Sequence, residues 1–216
     1  MYSQAQKKSG KAKINILLVL FLGVFLSFTS CKKDNGDNPD NNTPALASTP
    51  LYDTLGWFIQ GGQGEVKGSG TAMIADPDNP GAKIQAGRLA IRTVVKSALS
   101  VIASDTSLAV YFPTLLNEVG AGNTTGLANL LGSFTDFVQQ AVSGQKVYKG
   151  KTMLAAHNHS TYSRFGSTAH PVADEADFNQ FINDVVIAAQ SLNVPNSVIG
   201  QLGVLLTSVK GDVVQG

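Results

Sequence analysis

Few side chains in this chain can carry chemistry, and the histidines are the most useful of them. The chain has three histidines, His157, His159 and His170, and one cysteine, Cys31. A single cysteine excludes an internal disulfide framework, a thiolate zinc site and covalent cofactor attachment through a Cys-x-x-Cys-His motif. Any chemistry must therefore use histidines, carboxylates, hydroxyls or a non-covalently bound cofactor.

The histidine spacing allows a metal site as one interpretation. His157 and His159 stand two residues apart, and His170 and Asp174 follow within reach of the same loop. Two histidines at this spacing can converge on zinc when the backbone is extended. The glycines of residues 61–70 do not form a nucleotide-binding motif, since neither Gly-Lys-Ser/Thr nor a GxGxxG pattern comes directly after them, and the hydrolase motif Gly-x-Ser-x-Gly does not occur.

The charge balance argues against a nucleic-acid partner. The chain has 16 basic and 15 acidic residues, a net charge of +1, whereas phosphate binding needs a strong basic excess. Hydrophobic residues make up 43% of the 216 residues, which is enough for one domain with a core.

The first thirty residues have the pattern of an export signal. Four lysines precede an apolar run over residues 16–26, which is too short to span a bilayer. Thr29, Ser30 and Cys31 follow, and this junction resembles a bacterial lipobox, in which the cysteine is acylated. Residues 32–37 (KKDNGD) resemble the export tag of surface lipoproteins.

The domain limits follow from this assignment. We expect a signal peptide over residues 1–30, a lipidated cysteine with a flexible tether over 31–50, and one folded domain over 51–216. Without the signal the net charge is −3. The expected location is the outer membrane, through a lipid anchor, with exposure at the cell surface or toward the periplasm left open.

Apolar residues recur at helical spacing through most of the domain. The pattern predicts a helix over 83–103, a short helix capped by Asp105 and ending near Tyr111, and a further helix over about 127–141. It also predicts one over 178–192 with an acidic first turn, and a last one from Pro195 to Val213. No alternating strand pattern is evident, so the predicted class is all-α. Residues 57–82 and 158–172, rich in turn-forming residues, are predicted to be loop insertions.

In order and spacing, several segments resemble the group I truncated haemoglobins. The segments are residues 51–56 (LYDTLG), 90–95 (AIRTVV), 103–108 (ASDTSL), 111–112 (YF), 137–144 (FVQQAVSG), 148–157 (YKGKTMLAAH), and 177–178 and 193–195 near the end. The resemblance covers most of residues 51–216 apart from the two insertions. It implies a two-over-two helical sandwich that holds a non-covalent haem b.

The resemblance also assigns roles to residues. His157 matches the proximal ligand of the haem iron, which in globins is an imidazole. Phe112 matches the aromatic residue on the haem face, and Tyr148 and Met153 are expected near the proximal side. The distal positions correspond to Leu99, Leu130 and Phe134.

These distal side chains are apolar where the family places hydrogen-bond donors. Without a donor, about 1–3 kcal/mol of stabilisation of a polar diatomic ligand is lost. A shift of the alignment by one turn would bring Ser100 or Ser133 there instead, and His159 or His170 can serve as a donor or second ligand.

The functional expectation is a haem lipoprotein that binds or senses oxygen or another diatomic gas, with no catalytic residue assigned. Its partners are then haem, the gas and the membrane, with the protein partner unknown. One alternative is a degenerate globin that serves as a surface interaction or haem-capture module. The histidine metal site is the other alternative.

Overall fold

The computed structural model describes residues 48–158 and 172–216, which form nine helices and one two-stranded sheet. The elements in chain order are α1 (Pro50–Ile59), β1 (Met73–Ala75), β2 (Lys83–Gln85), α2 (Ala86–Ser104), α3 (Thr106–Ala109), α4 (Pro113–Gly120), α5 (Thr125–Ser143), α6 (Met153–His157), α7 (Glu175–Ser191), α8 (Asn196–Thr207) and α9 (Lys210–Val213). The predicted all-α class is confirmed. Cys31, the signal, most of the tether, His159 and His170 lie outside the described residues.

Helix α2 is the centre of the core. Its apolar stripe recurs at three and four residues and is buried against α1, α5 and α7. The buried residues of this stripe are Ala90, Ile91, Val94, Val95, Ala98 and Ile102. Each large aliphatic side chain buried in this way contributes about 1.5–3 kcal/mol to folding. The predicted helix over 83–103 is thus confirmed except at its start.

A short β-hairpin precedes α2, and the expectation that the chain has no strands is wrong at this point. Ile74 of β1 pairs with Ile84 of β2 in antiparallel register. The pairing converts residues 83–85, expected to be helical, into a strand. Three residues per strand are too few to produce a visible alternation in the sequence, which is why the pattern gave no signal.

Hydrogen bonds to Asp53 hold the glycine-rich loop between α1 and β1 on helix α1. This carboxylate is 3% exposed and accepts hydrogen bonds from the backbone N–H of Gly68 (2.9 Å) and Gly70 (2.8 Å) and from the Ser48 hydroxyl (2.8 Å). Gly70 lies so close to Tyr52 that an added Cβ would come within 2.5 Å of its ring. The loop is therefore packed onto the helix, and glycine is required at this contact.

An ion pair fastens the following turn to α2. Asp76 is buried and accepts two hydrogen bonds from the Arg92 guanidinium, at 2.5 and 3.2 Å, while Asn79 donates a third at 2.9 Å. These hydrogen bonds hold the pKa of Asp76 well below its usual range. The predicted insertion over 57–82 thus forms the end of α1, a packed loop and most of the hairpin.

The last helices follow the predicted periodicity with two differences. Asp174 and Asp177 form a capping box at the start of α7, which confirms the acidic first turn. The predicted helix from Pro195 to Val213 is instead two helices, because the chain leaves α8 after Thr207 and resumes helix at Lys210. Helix α4 was not predicted, although Pro113 stands at a favoured first position.

We expect Asp53→Asn to lower the free energy of unfolding by about 1–3 kcal/mol at pH 7, because an amide nitrogen would replace one acceptor facing buried N–H groups. Burial raises the pKa of Asp53, but the hydrogen bonds from Gly68, Gly70 and Ser48 outweigh burial, so this pKa lies below its usual value. The wild-type advantage is therefore present at neutral pH and is lost as the pH falls through that lowered pKa.

Urea denaturation at a series of pH values measures this effect. Glu65→Gln is the control, since Glu65 is exposed in the same loop. An equal loss of stability for both variants would show that Asp53 does not hold the loop.

Candidate functional site

Helix α6 carries His157, the residue that the sequence singled out as an iron ligand. The helix spans Met153–His157, begins at the cap residue Thr152, whose hydroxyl accepts a hydrogen bond from the backbone N–H of Ala155 at 3.3 Å, and has no buried residue. His157 is its last residue and is exposed. The ring is therefore accessible at the surface of the described structure.

One hydrogen bond determines which ring nitrogen of His157 is free to bind a metal. Nδ1 lies 2.8 Å from the backbone carbonyl oxygen of Met153. A carbonyl oxygen can only accept, so Nδ1 must carry the proton and donate it. In the neutral ring Nε2 then keeps its lone pair. A backbone carbonyl bonded to Nδ1–H is the usual outer partner of a metal-binding histidine.

Helices α5 and α6 pack mainly on other elements, although residues 144–152 join them directly. The principal packing partner of α6 is α9, and α5 packs on α2, α1, α4 and α8. The connection is fixed by Tyr148, whose ring lies edge-on to Phe137 at 5.7 Å and whose hydroxyl donates to the Lys151 carbonyl at 2.8 Å. Burial raises the pKa of the Tyr148 hydroxyl.

The first half of α5 has an apolar face that is only half-buried. All buried residues of this helix lie in its second half, from Thr135 onward. Leu130 and Phe134 are half-buried, as are Leu99 and Phe112 on other elements. Phe134 rests on Phe181 of α7 with ring centroids 6.0 Å apart. Leu99 and Phe134 pack against the core on one side and keep apolar surface on the other.

The six residues expected to line the cofactor site with His157 are all half-buried. They are Leu99, Phe112, Leu130, Phe134, Tyr148 and Met153. The serines considered as alternative distal donors are both exposed, and the Ser100 hydroxyl donates to the Lys96 carbonyl at 3.2 Å.

Two crevices in the core are too small for a large ligand. One crevice, between α7 and α8, holds about 10 Å³, and another, between α2, α5 and α7, holds about 20 Å³. Each has space for about one water molecule, whereas small-molecule sites measure about 300–1,000 Å³.

A buried carboxyl was missed by the sequence reasoning. Asp184 is 2% exposed within α7, and the Gln180 amide donates to both Asp184 Oδ1 (2.9 Å) and Asp105 Oδ2 (2.7 Å). Burial raises the pKa of Asp184, and its Oδ2 has no hydrogen-bond partner among the described residues. The sequence does place this acidic residue within the apolar stripe of α7, and that position could have indicated a buried carboxyl. Gln180 thus joins Asp184 of α7 to Asp105, the N-cap residue of α3.

The metal-site alternative stays a prediction. Among residues 48–158 and 172–216, no group of three or more histidine, cysteine or carboxylate side chains is placed to hold a metal ion. His159 and His170, two of its four proposed ligands, lie outside those ranges. In the same part of the chain, no helix is both long and apolar enough to cross a membrane.

Truncated haemoglobin structures resemble this fold. The structure of the protein from Tetrahymena pyriformis in its Fe(III) form aligns with a TM-score of 0.46 and 18% identity, covering 59% of this chain and 92% of that chain. Two of its mutants, also in the Fe(III) form, align with a TM-score of 0.47 and the same identity and coverage. No family model and no curated protein matches the chain. The likeness concerns the fold and does not show what this chain binds.

We expect the proton of the neutral His157 ring to be on Nδ1 in protein without cofactor, because only a donor can bond to the Met153 carbonyl. Long-range ¹H–¹⁵N NMR correlations measure this, with the ring signals assigned through His159→Gln and His170→Gln variants. A proton found mainly on Nε2 would contradict the hydrogen-bond geometry.

Proposed function

We propose that this chain binds a non-covalent haem b through Nε2 of His157, in the manner of a group I truncated haemoglobin. The observation that supports this proposal most directly is the hydrogen bond from Nδ1–H of His157 to the Met153 carbonyl. It leaves Nε2 as the only lone pair on the ring and restrains the direction in which that lone pair points.

The residues that the resemblance assigns to the site fit a flat apolar cofactor. Leu99, Leu130, Phe134 and Phe112 present half-buried apolar surface that burial against a ring would remove from water. Tyr148 and Met153 lie on the connection and helix that carry the ligand. Bound haem would supply an iron atom able to take a diatomic ligand at an open position.

The chain's own residues favour gas binding or sensing over catalysis. Leu99, Leu130 and Phe134 have no side-chain hydrogen-bond donor, so a polar ligand on their side would gain no stabilisation from them. No general acid or base is assigned to this side.

We further propose that the protein is a lipoprotein, cut before Cys31 and anchored at the outer membrane by acyl chains on that residue. The basic start, the apolar run over residues 16–26 and the position of the one cysteine support this proposal. Residues 32–50 would then tether the domain to the membrane.

A second candidate function is haem capture at the cell surface. The exposed ring of His157 and the lack of any buried residue in α6 favour it, because a ligand on an unburied helix is reached and released easily. Rapid transfer of haem to an acceptor such as apomyoglobin would support capture, and retention over hours would support stable gas binding.

We expect His157→Ala to abolish stoichiometric haem binding by the domain of residues 51–216, because the chain would lose its iron ligand on α6. Titration of the haem-free protein, followed through the Soret absorption band, measures the affinity and the stoichiometry. The controls are His159→Ala and His170→Ala, which are expected to retain a sharp endpoint. If His157→Ala reached the same sharp endpoint as the wild type, His157 would not be the iron ligand.

We expect Leu99→Tyr to slow oxygen dissociation roughly tenfold, because an added hydroxyl donor is worth about 1–2 kcal/mol to a polar ligand. Leu99→Phe is the matched control, since it adds the ring without the donor. Stopped-flow replacement of oxygen by carbon monoxide measures the rate. Equal rates in the two variants would show that Leu99 does not face the ligand.

A further inference from the structure

Helix α6 has little support of its own. It is a five-residue helix with no buried residue, and an isolated helix of that length is not stable in water. Its principal packing partner is α9. The position of α6 therefore depends on its packing against the segment of residues 209–216, which we name the strap.

The strap is held on the start of α7. The backbone N–H groups of Gln215 and Gly216 both donate to the Ala173 carbonyl, at 2.9 and 3.3 Å. Nearer its beginning, Lys210 pairs with Glu175 at 2.5 Å, and this ion pair lowers the pKa of Glu175. The capping box at Asp174 stabilises the start of α7, on which the strap is held.

Gln215 connects the start of α7 to His157. Its amide nitrogen donates a hydrogen bond to the backbone carbonyl of His157. The last carbonyls of a helix have no partner within the helix, so this bond satisfies a group that would otherwise depend on water. Gln215 thus holds His157 by its side chain and Ala173 by its backbone.

We propose that Gln215 is a positioning residue for His157: it fixes the end of α6, so that Nδ1–H stays on the Met153 carbonyl and Nε2 stays directed at the ligand site. This inference rests on the proposed function, because Nε2 is given its role there. The Gln215 side chain contacts His157 at its backbone carbonyl, so Gln215 acts through His157.

The test compares Gln215→Glu with Gln201→Glu. Glutamate has the size of glutamine but lacks the N–H donor. Gln201 is an exposed glutamine on α8 whose amide donates to the Ser197 carbonyl of its own helix, at 3.2 Å, so it is a matched control. Gln215→Lys keeps an N–H donor and is expected to restore wild-type behaviour.

Two readouts are needed, and the first requires no haem. In haem-free protein, amide exchange at Ala156, whose N–H bonds the Thr152 carbonyl at 2.8 Å, is expected to speed up about 3- to 10-fold in Gln215→Glu and to stay unchanged in Gln201→Glu. The share of the His157 ring protonated on Nδ1 should fall at the same time. In the loaded protein, haem loss to apomyoglobin should speed up by a similar factor.

Each outcome decides the proposal. Faster exchange, a tautomer shift and faster haem loss confined to Gln215→Glu would support it. Equal exchange in the two glutamate variants, or faster exchange without any change in the tautomer or in haem loss, would overturn it while leaving haem binding through His157 intact. If His157→Ala binds haem as the wild type does, the proposed function fails, and the positioning role falls with it.

Discussion

The burial of α2 against three other helices is the constraint on which the rest of the described structure depends. Because α1 is fixed on α2, Asp53 can hold the glycine-rich loop, and Arg92 of α2 itself holds the following turn through Asp76. The second half of α5 and the middle of α7 complete this core. Three helices outside this core, α4, α6 and α9, have no buried residues.

That arrangement explains why the candidate site lies where it does. Helix α5 extends beyond the core, and its first half keeps apolar side chains such as Leu130 and Phe134 half-buried. Apolar surface of this kind costs free energy in water unless something covers it. Helix α6, carrying His157, follows α5 in the chain and packs mainly on α9. The proposed haem site needs both of these features, an apolar surface and an imidazole ligand.

The sequence predicted the helices well because their apolar residues recur over three or more turns, as in α2 and α7. It missed the hairpin, since strands of three residues carry no period, and it missed α4, which buries nothing. The role of Asp53 could not be read from the sequence, because its partners Gly68 and Gly70 lie on a loop whose path depends on tertiary packing. The hold of Gln215 on His157 joins residues far apart in the chain and leaves no local pattern. The role of His157 as an iron ligand, inferred from the segment of residues 148–157, stays a prediction.

The most direct test of the central claim is the proton NMR spectrum of the reduced, gas-free haem protein. Nδ1–H of an iron-bound histidine gives an exchangeable signal shifted far downfield by the unpaired electrons. We predict one such signal, split by ¹⁵N when histidine is labelled, and assigned to His157 by its loss in His157→Ala. A haem-loaded protein that lacks the signal, or keeps it in His157→Ala, would contradict the account.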